Sequence, residues 1–188
     1  MKKSSGSQKK ISVEFEEALN RLVGQLCWGV IAGAGTGSIV DLKIGRKILR
    51  KTPVRNPHLS RLQRKYDSEY AIFILCVWRV DSKSKVVCGC WDDNTENGEM
   101  LAGLRRLVGS TITSVDVKKP AWDLDLTFSN GLVLKVFCDS INLIDKGDNY
   151  SVFLPEGIYT VGARSKLLKE QRGAADNGRA MSLKKRGT

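Results

Sequence analysis

Trp122-Asp-Leu-Asp-Leu-Thr-Phe128, followed at once by Ser129-Asn130-Gly131 and the apolar stretch Leu132–Cys138, is the part of the chain on which the fold turns. Apolar and polar residues alternate there without a break. Trp122, Leu124, Leu126 and Phe128 share one face, and Asp123, Asp125 and Thr127 share the other. Period-two alternation specifies a strand with one face in a core and one toward water, the pattern of antiparallel sheets. The Asn-Gly pair predicts a tight hairpin into the next strand. Just upstream, Met100, Leu101, Leu104, Leu107 and Val108 recur at helical spacing and stop at Gly109, a residue suited to closing a helix. A helix followed by antiparallel strands places the chain in the α+β class.

The same order occurs once before. Leu19-Asn-Arg-Leu-Val-Gly24 reads again as Leu104-Arg-Arg-Leu-Val-Gly109, and Val40-Asp-Leu-Lys-Ile44 is echoed by Leu124-Asp-Leu-Thr-Phe128. Tyr70–Ile74 is echoed by Tyr150–Leu154, and Trp78-Arg-Val80 by Tyr159-Thr-Val161. Collinear echoes at a nearly constant offset predict two tandem copies of a helix-plus-antiparallel-sheet unit, approximately 14–91 and 99–164. Each copy offers one apolar face, so the pair is expected to share one core about a pseudo-two-fold axis. The predicted domain is 13–164, between a basic tail at 1–12 and a basic flexible tail at 165–188. Phe15, Ala18, Leu19, Leu22 and Val23 form the apolar stripe of the first helix. Ile44-Gly45-Arg46 is expected to turn a hairpin as Ser129–Gly131 does. Ala71-Ile-Phe-Ile-Leu-Cys-Val-Trp78 is apolar on both faces and predicts a central strand covered on both sides, with Ile72, Phe73, Ile74 and Leu75 in the core.

Composition bounds the function. At 41% apolar and 27% charged, the 188 residues are those of a folded protein. The longest apolar run, 71–78, is strand-sized and far short of a membrane span. The start, MKKSSGSQKK, is basic but lacks the apolar region of a signal peptide, so a cytoplasmic protein without membrane partners is expected. Cysteines 27, 76, 88, 90 and 138 all lie in apolar or strand-like runs, the pattern of reduced thiols. Cys88 and Cys90 would put two sulfurs on one strand face, but zinc wants four ligands, and no metal or other cofactor is expected.

Catalytic constellations are sparse. His58, the one histidine, sits beside Pro57 with no nucleophile motif near it, and a surface-loop role is expected. Gly33, Gly35 and Gly37 resemble a phosphate loop, yet a dinucleotide loop runs from strand to helix and this one runs from strand to strand. A β-turn is expected, with ligand contact as the lesser reading. Asp92-Asp93-Asn94 with Asn97-Gly98-Glu99, and Asp139 through Asn149, are oxygen-rich but miss calcium-loop spacing; capping and turns are expected.

Charge is the remaining signal. Of the net +11, residues 1–10 carry +4 and residues 162–188 carry +6. Between them, Lys43 to Lys65 holds nine basic residues and no acid. This long insertion most separates the first copy from the second, and long loops on rigid scaffolds often hold function. Arg46, Lys47, Arg50, Lys51, Arg55, Arg61 and Arg64 are therefore predicted as binding determinants toward an acidic protein surface. The expectation is a non-catalytic binding protein. A nucleic-acid-binding accessory using the same segment and the tails is the alternative, and an enzyme with a dispersed site is third.

Leu107-Val-Gly109, Asp123–Gly131 and Asp148-Asn-Tyr-Ser151 together resemble small bacterial domains, some of the immunity type that sit beside polymorphic toxins. The resemblance covers mainly 100–164 and rests on fold-defining residues. It implies a defence-type binding role and carries over no functional residue.

Overall fold

In the computed structural model, which describes residues 4–141 and 147–171, the strand predicted at 122–128 forms over Asp123–Phe128. The elements in chain order are α1 (Ser4–Asn20), β1 (Cys27–Gly33), β2 (Gly37–Leu49), α2 (Arg61–Lys65), β3 (Tyr66–Ile74), β4 (Val77–Asp81) and β5 (Val86–Gly89). They continue as α3 (Glu99–Arg105), β6 (Ile112–Lys118), β7 (Asp123–Phe128), β8 (Val133–Phe137), β9 (Asp148–Leu154), β10 (Gly157–Gly162) and β11 (Leu167–Gln171). The strands make two antiparallel sheets, one in the order β1-β2-β3-β9-β10-β11 and one in the order β5-β4-β8-β7-β6. The chain is thus α+β and dominated by sheet.

Alternation sets the inner faces. Val40, Leu42, Ile44, Ile72, Ile74, Tyr150, Val152 and Leu154 from the larger sheet meet Trp78, Val80, Leu124, Leu126, Phe128, Leu134 and Val136 from the smaller one in a single core. Two polar side chains that reach this core find backbone partners. The Tyr150 hydroxyl donates to the Trp122 carbonyl at 2.8 Å, and the Trp78 indole N–H to the Ser38 carbonyl at 2.7 Å. Burial of Phe15, Ala18, Leu19 and Leu22 docks α1 against β6 and β11. Met100, Leu104 and Leu107 are buried likewise, and α3 lies against β1 and β5. Val23 and Val108, the last residues of the two predicted stripes, are exposed.

The turns that follow these helices bond to each other. The Gly24 amide donates to the Ile112 carbonyl at 2.8 Å, and the Gly109 amide donates to the Cys27 carbonyl at 2.8 Å. Cys27 N–H reaches the Ser110 carbonyl and Ile112 N–H the Gln25 carbonyl, both at 2.9 Å. Between these bonds Leu26 faces Thr111 in an antiparallel bridge.

Four expectations need correction. The apolar run 71–78 is not one strand. β3 ends at Ile74, β4 begins at Val77, and the chain changes sheets between them. The Leu75 and Cys76 amides both donate to the Asn149 carbonyl at this crossing. Consequently Phe73 is only half-buried and Leu75 is 37% exposed, while Ile72 and Ile74 are buried as predicted. Gly45 makes no hairpin either: β2 runs through it to Leu49 with a register irregularity between Ile44 and Lys47. Tyr70–Ile74 and Tyr150–Leu154, read as counterparts, are instead hydrogen-bonded neighbours, because β3 pairs with β9. Finally, the described structure runs past both predicted boundaries. Residues 4–12 belong to α1, and Leu167 is buried in β11, whose Lys169 holds Glu14 of α1 at 2.7 Å. The expected tail at 172–188 lies outside the described residues.

Candidate partner-binding cleft

Within Lys43–Lys65 the structure divides the basic residues by what they face. β2 carries Asp41 and Lys43 on one face, and their side chains pair at 2.8 Å with both groups buried. Burial pushes the Asp41 carboxyl above its ordinary range, and the Lys43 ammonium pulls it back only in part. Asp67 and Arg50 also act on Asp41 electrostatically. The Arg50 guanidinium meets the Asp67 carboxylate at 3.1 Å with its side chain only 7% exposed. Arg46 pairs in two contacts with Glu69, at 2.8 and 3.0 Å, which holds Glu69 below the usual carboxylate range. These acids flank the basic segment in sequence, one just before it and two just after it. β2–β3 pairing brings them alongside.

Past Leu49 the chain leaves the sheet and returns through α2. Two backbone bonds close the base of this excursion, from the Arg50 amide to the Lys65 carbonyl and from the Val54 amide to the Arg64 carbonyl, each 3.0 Å. Ser60 starts α2 with a reciprocal cap: its hydroxyl accepts from the Gln63 amide, and the Gln63 side chain accepts from the Ser60 amide. The same Gln63 donates through Nε2 to the Val30 carbonyl at 2.9 Å, which anchors α2 on β1. The insertion is therefore a pinned structure.

It encloses a cleft of about 810 Å³. Leu49, Pro53, Val54 and Pro57 supply apolar lining, and Arg50, Arg55, Arg61, Arg64 and Lys65 supply charge. Arg55, Arg61 and Lys65 are exposed and Arg64 is half-buried, and none of the four has a carboxylate partner among the described residues. Lys65 lies over the Tyr66 ring at 5.4 Å. Of the apolar lining, Leu49 is 63% exposed.

Of the seven predicted determinants, Arg50, Arg55, Arg61 and Arg64 line this cleft. Arg50 does so while paired with Asp67. Arg46, Lys47 and Lys51 are exposed and lie outside the lining; Arg46 faces Glu69, and Lys47 stacks over Trp28 at 5.5 Å. Lys65 and the apolar lining are missing from the predicted set. Lys65 closes the same charge run, whereas Pro53, Val54 and Pro57 gave no signal until the loop folded back. Of the nine cations, Lys43, Arg50 and Arg46 are neutralised from outside the segment by Asp41, Asp67 and Glu69.

The other candidates stand apart. Gly33, Gly35 and Gly37 form the β1–β2 turn, at the far end of β2 from the cleft and beside Leu101 of α3. Asp92 accepts from the Gly89 amide at 2.8 Å, and Asp93 accepts from the amide and hydroxyl of Thr95. This is turn chemistry. In the second acidic loop, Asn149 is buried and bonds the Ser140 amide and the Gly162 carbonyl, while residues 142–146 lie outside the described residues. Among the described residues no cluster of His, Cys, Asp and Glu forms a metal site, and no helix is long and apolar enough to cross a membrane. Compared with known proteins, the chain matches no family model, no curated protein and no solved structure.

Proposed function

We propose that this is a non-catalytic binding protein that docks on an acidic surface of another protein through the Arg55–Arg61–Arg64–Lys65 cleft. The observation that carries the reading is the mixed character of the site. Uncompensated guanidinium groups line the same cleft as exposed Leu49 and the apolar wall of Pro53, Val54 and Pro57. Protein interfaces combine arginine with apolar area in this way. A surface for nucleic acid is more polar and tracks a phosphate backbone, and single strands need stacking rings. Among the described residues the cleft lining holds no aromatic ring, and Lys65 lies over Tyr66 at its edge. A defence-type role of the immunity kind is one form such docking takes.

The test is reversal of Arg55, Arg61, Arg64 and Lys65 to Glu in the full chain. These groups contribute little to folding, so the melting temperature should stay within a degree or two. Affinity for an acidic, leucine-containing peptide should fall at least tenfold, about 1.4 kcal/mol. Unchanged peptide affinity in a folded variant, or tight binding of duplex DNA with a steep salt slope, sinks the reading.

A duplicated architecture is part of the same proposal. Written from β6, the smaller sheet reads β6-β7-β8-β4-β5, and the larger reads β1-β2-β3-β9-β10 before β11. Exchange of the two halves converts one order into the other. The same exchange carries the Gly24 to Ile112 bond onto the Gly109 to Cys27 bond, and sets Leu26 against Thr111 as its own image. A two-fold through that bridge accounts for all three. It makes β8 the counterpart of β3 and β9 the counterpart of β4. The echoes at 19–24 with 104–109 and at 40–44 with 124–128 fit it; the two later echoes do not.

A further inference from the structure

β1 covers the outer edge of β2 only as far as Ile44, which faces Cys27, and the Gly45 amide then bonds the Leu26 carbonyl. From Lys47 to Leu49, β2 pairs with β3 alone, and Arg46 sits in the register irregularity just before, its amide donating to the Glu69 carboxylate. Four consecutive exposed residues, Arg46 to Leu49, show that both faces of the ribbon are open here. Strand pairing alternates the direction of backbone groups. Because the Arg50 amide bonds the Lys65 carbonyl, the amides and carbonyls of Lys47 and Leu49 point away from β3, toward the open side. Among the described residues no further backbone bond satisfies them.

An open edge of this length is a template for another strand. Its flanking charge says which strand. Lys47 and the cleft cations Arg55, Arg61, Arg64 and Lys65 have no carboxylate partner among the described residues. A second copy would set the same cations against its own, and like charges across a strand pair repel. An acidic strand meets complementary charge instead. Leu49 belongs both to the open edge and to the cleft wall, so a strand that pairs along the edge leads directly into the cleft.

We propose that the Lys47–Leu49 edge of β2 captures an extended acidic segment of a partner protein by strand addition, with the segment's carboxylates carried into the arginine cleft. This rests on the docking reading above and adds its mode. The test uses the full chain and a ten-residue peptide alternating glutamate and valine, made unmodified and in two forms N-methylated at either set of alternate residues. An added strand uses only one set of alternate amides. One methylated form should therefore bind at least tenfold more weakly and the other about as well as the parent. On binding the parent, the Lys47 and Leu49 amides should gain at least tenfold protection from hydrogen exchange.

If all three peptides bind alike and the four-site Glu variant binds none, docking stands and strand addition is overturned. If no peptide binds the parent protein, both readings fall. Protection of Lys47 and Leu49 in the protein alone, rising with its concentration, identifies a second copy as the occupant and overturns the acidic strand.

Discussion

Lys43 and Asp41 stand 2.8 Å apart in a buried setting, so each depends on the other. Removing one partner of a buried pair leaves an uncompensated charge, at a cost of about 3–5 kcal/mol. Lys43→Met should show that loss at pH 8. The loss should shrink in acid, because Asp41 has a folded-state pKa above its ordinary 3.8 and takes up a proton there. A group with a raised folded pKa contributes stability that is fully present below its unfolded pKa and is lost as pH rises through the folded one. Urea titrations of Lys43→Met across pH 4–8 check the sign; a penalty that grows in acid contradicts it. Asp41→Leu with Lys43→Met should recover most of the stability at pH 8, since apolar pairs replace buried ion pairs at little cost. Phe128 and Leu75 make a second contrast. Phe128→Ala, at a site 1% exposed, should cost about 3–5 kcal/mol. Leu75→Ala, at the sheet crossing, should cost under about 1 kcal/mol. Equal losses at the two sites contradict the crossing.

At the level of elements, the two helix-ending turns invite the most direct test. Gly24 has φ +82° and Gly109 has φ +88°, and both amides donate across to the other turn. A Cβ meets nothing within 4 Å at either position, so backbone strain is the whole effect of alanine there. Gly24→Ala and Gly109→Ala should each destabilise by about 1–2 kcal/mol and by similar amounts. A large difference between them, read by denaturant unfolding, argues against the two-fold relation. The helices themselves, the β7–β8 hairpin and its inward face were legible because each depends on residues close in sequence. Ala71–Trp78 was not. A continuous apolar run fits one doubly covered strand or two strands bent between two sheets, and the Asn149 carbonyl that receives Leu75 and Cys76 is more than seventy residues away.

The whole molecule is interlocked by those crossings. β3 of the first half pairs with β9 of the second, and β4 of the first half pairs with β8 of the second. A fragment ending at 97 would leave both β3 and β4 with an open edge and half a core. Neither 1–97 nor 98–188 should fold alone, and an equimolar mixture should regain the native circular dichroism spectrum. Cooperative melting of either fragment by itself would show that the halves are independent. The charge layout follows the same division between local and distant causes. The run of nine cations can be read directly from residues 43–65. Which of them remain available cannot, because Asp41, Asp67 and Glu69 are brought to Lys43, Arg50 and Arg46 only when β2 lies beside β3. By itself the sequence determined the α+β class, the amphipathic helices, the strand at 123–128 and the basic insertion, since periodicity and composition act over a few residues. Tertiary structure alone decided the sheet order, the division of charge within that insertion, the cleft and the open edge of β2. Each of those arises from a pairing between strands, and a strand's partner is chosen by the shape and burial of the entire core.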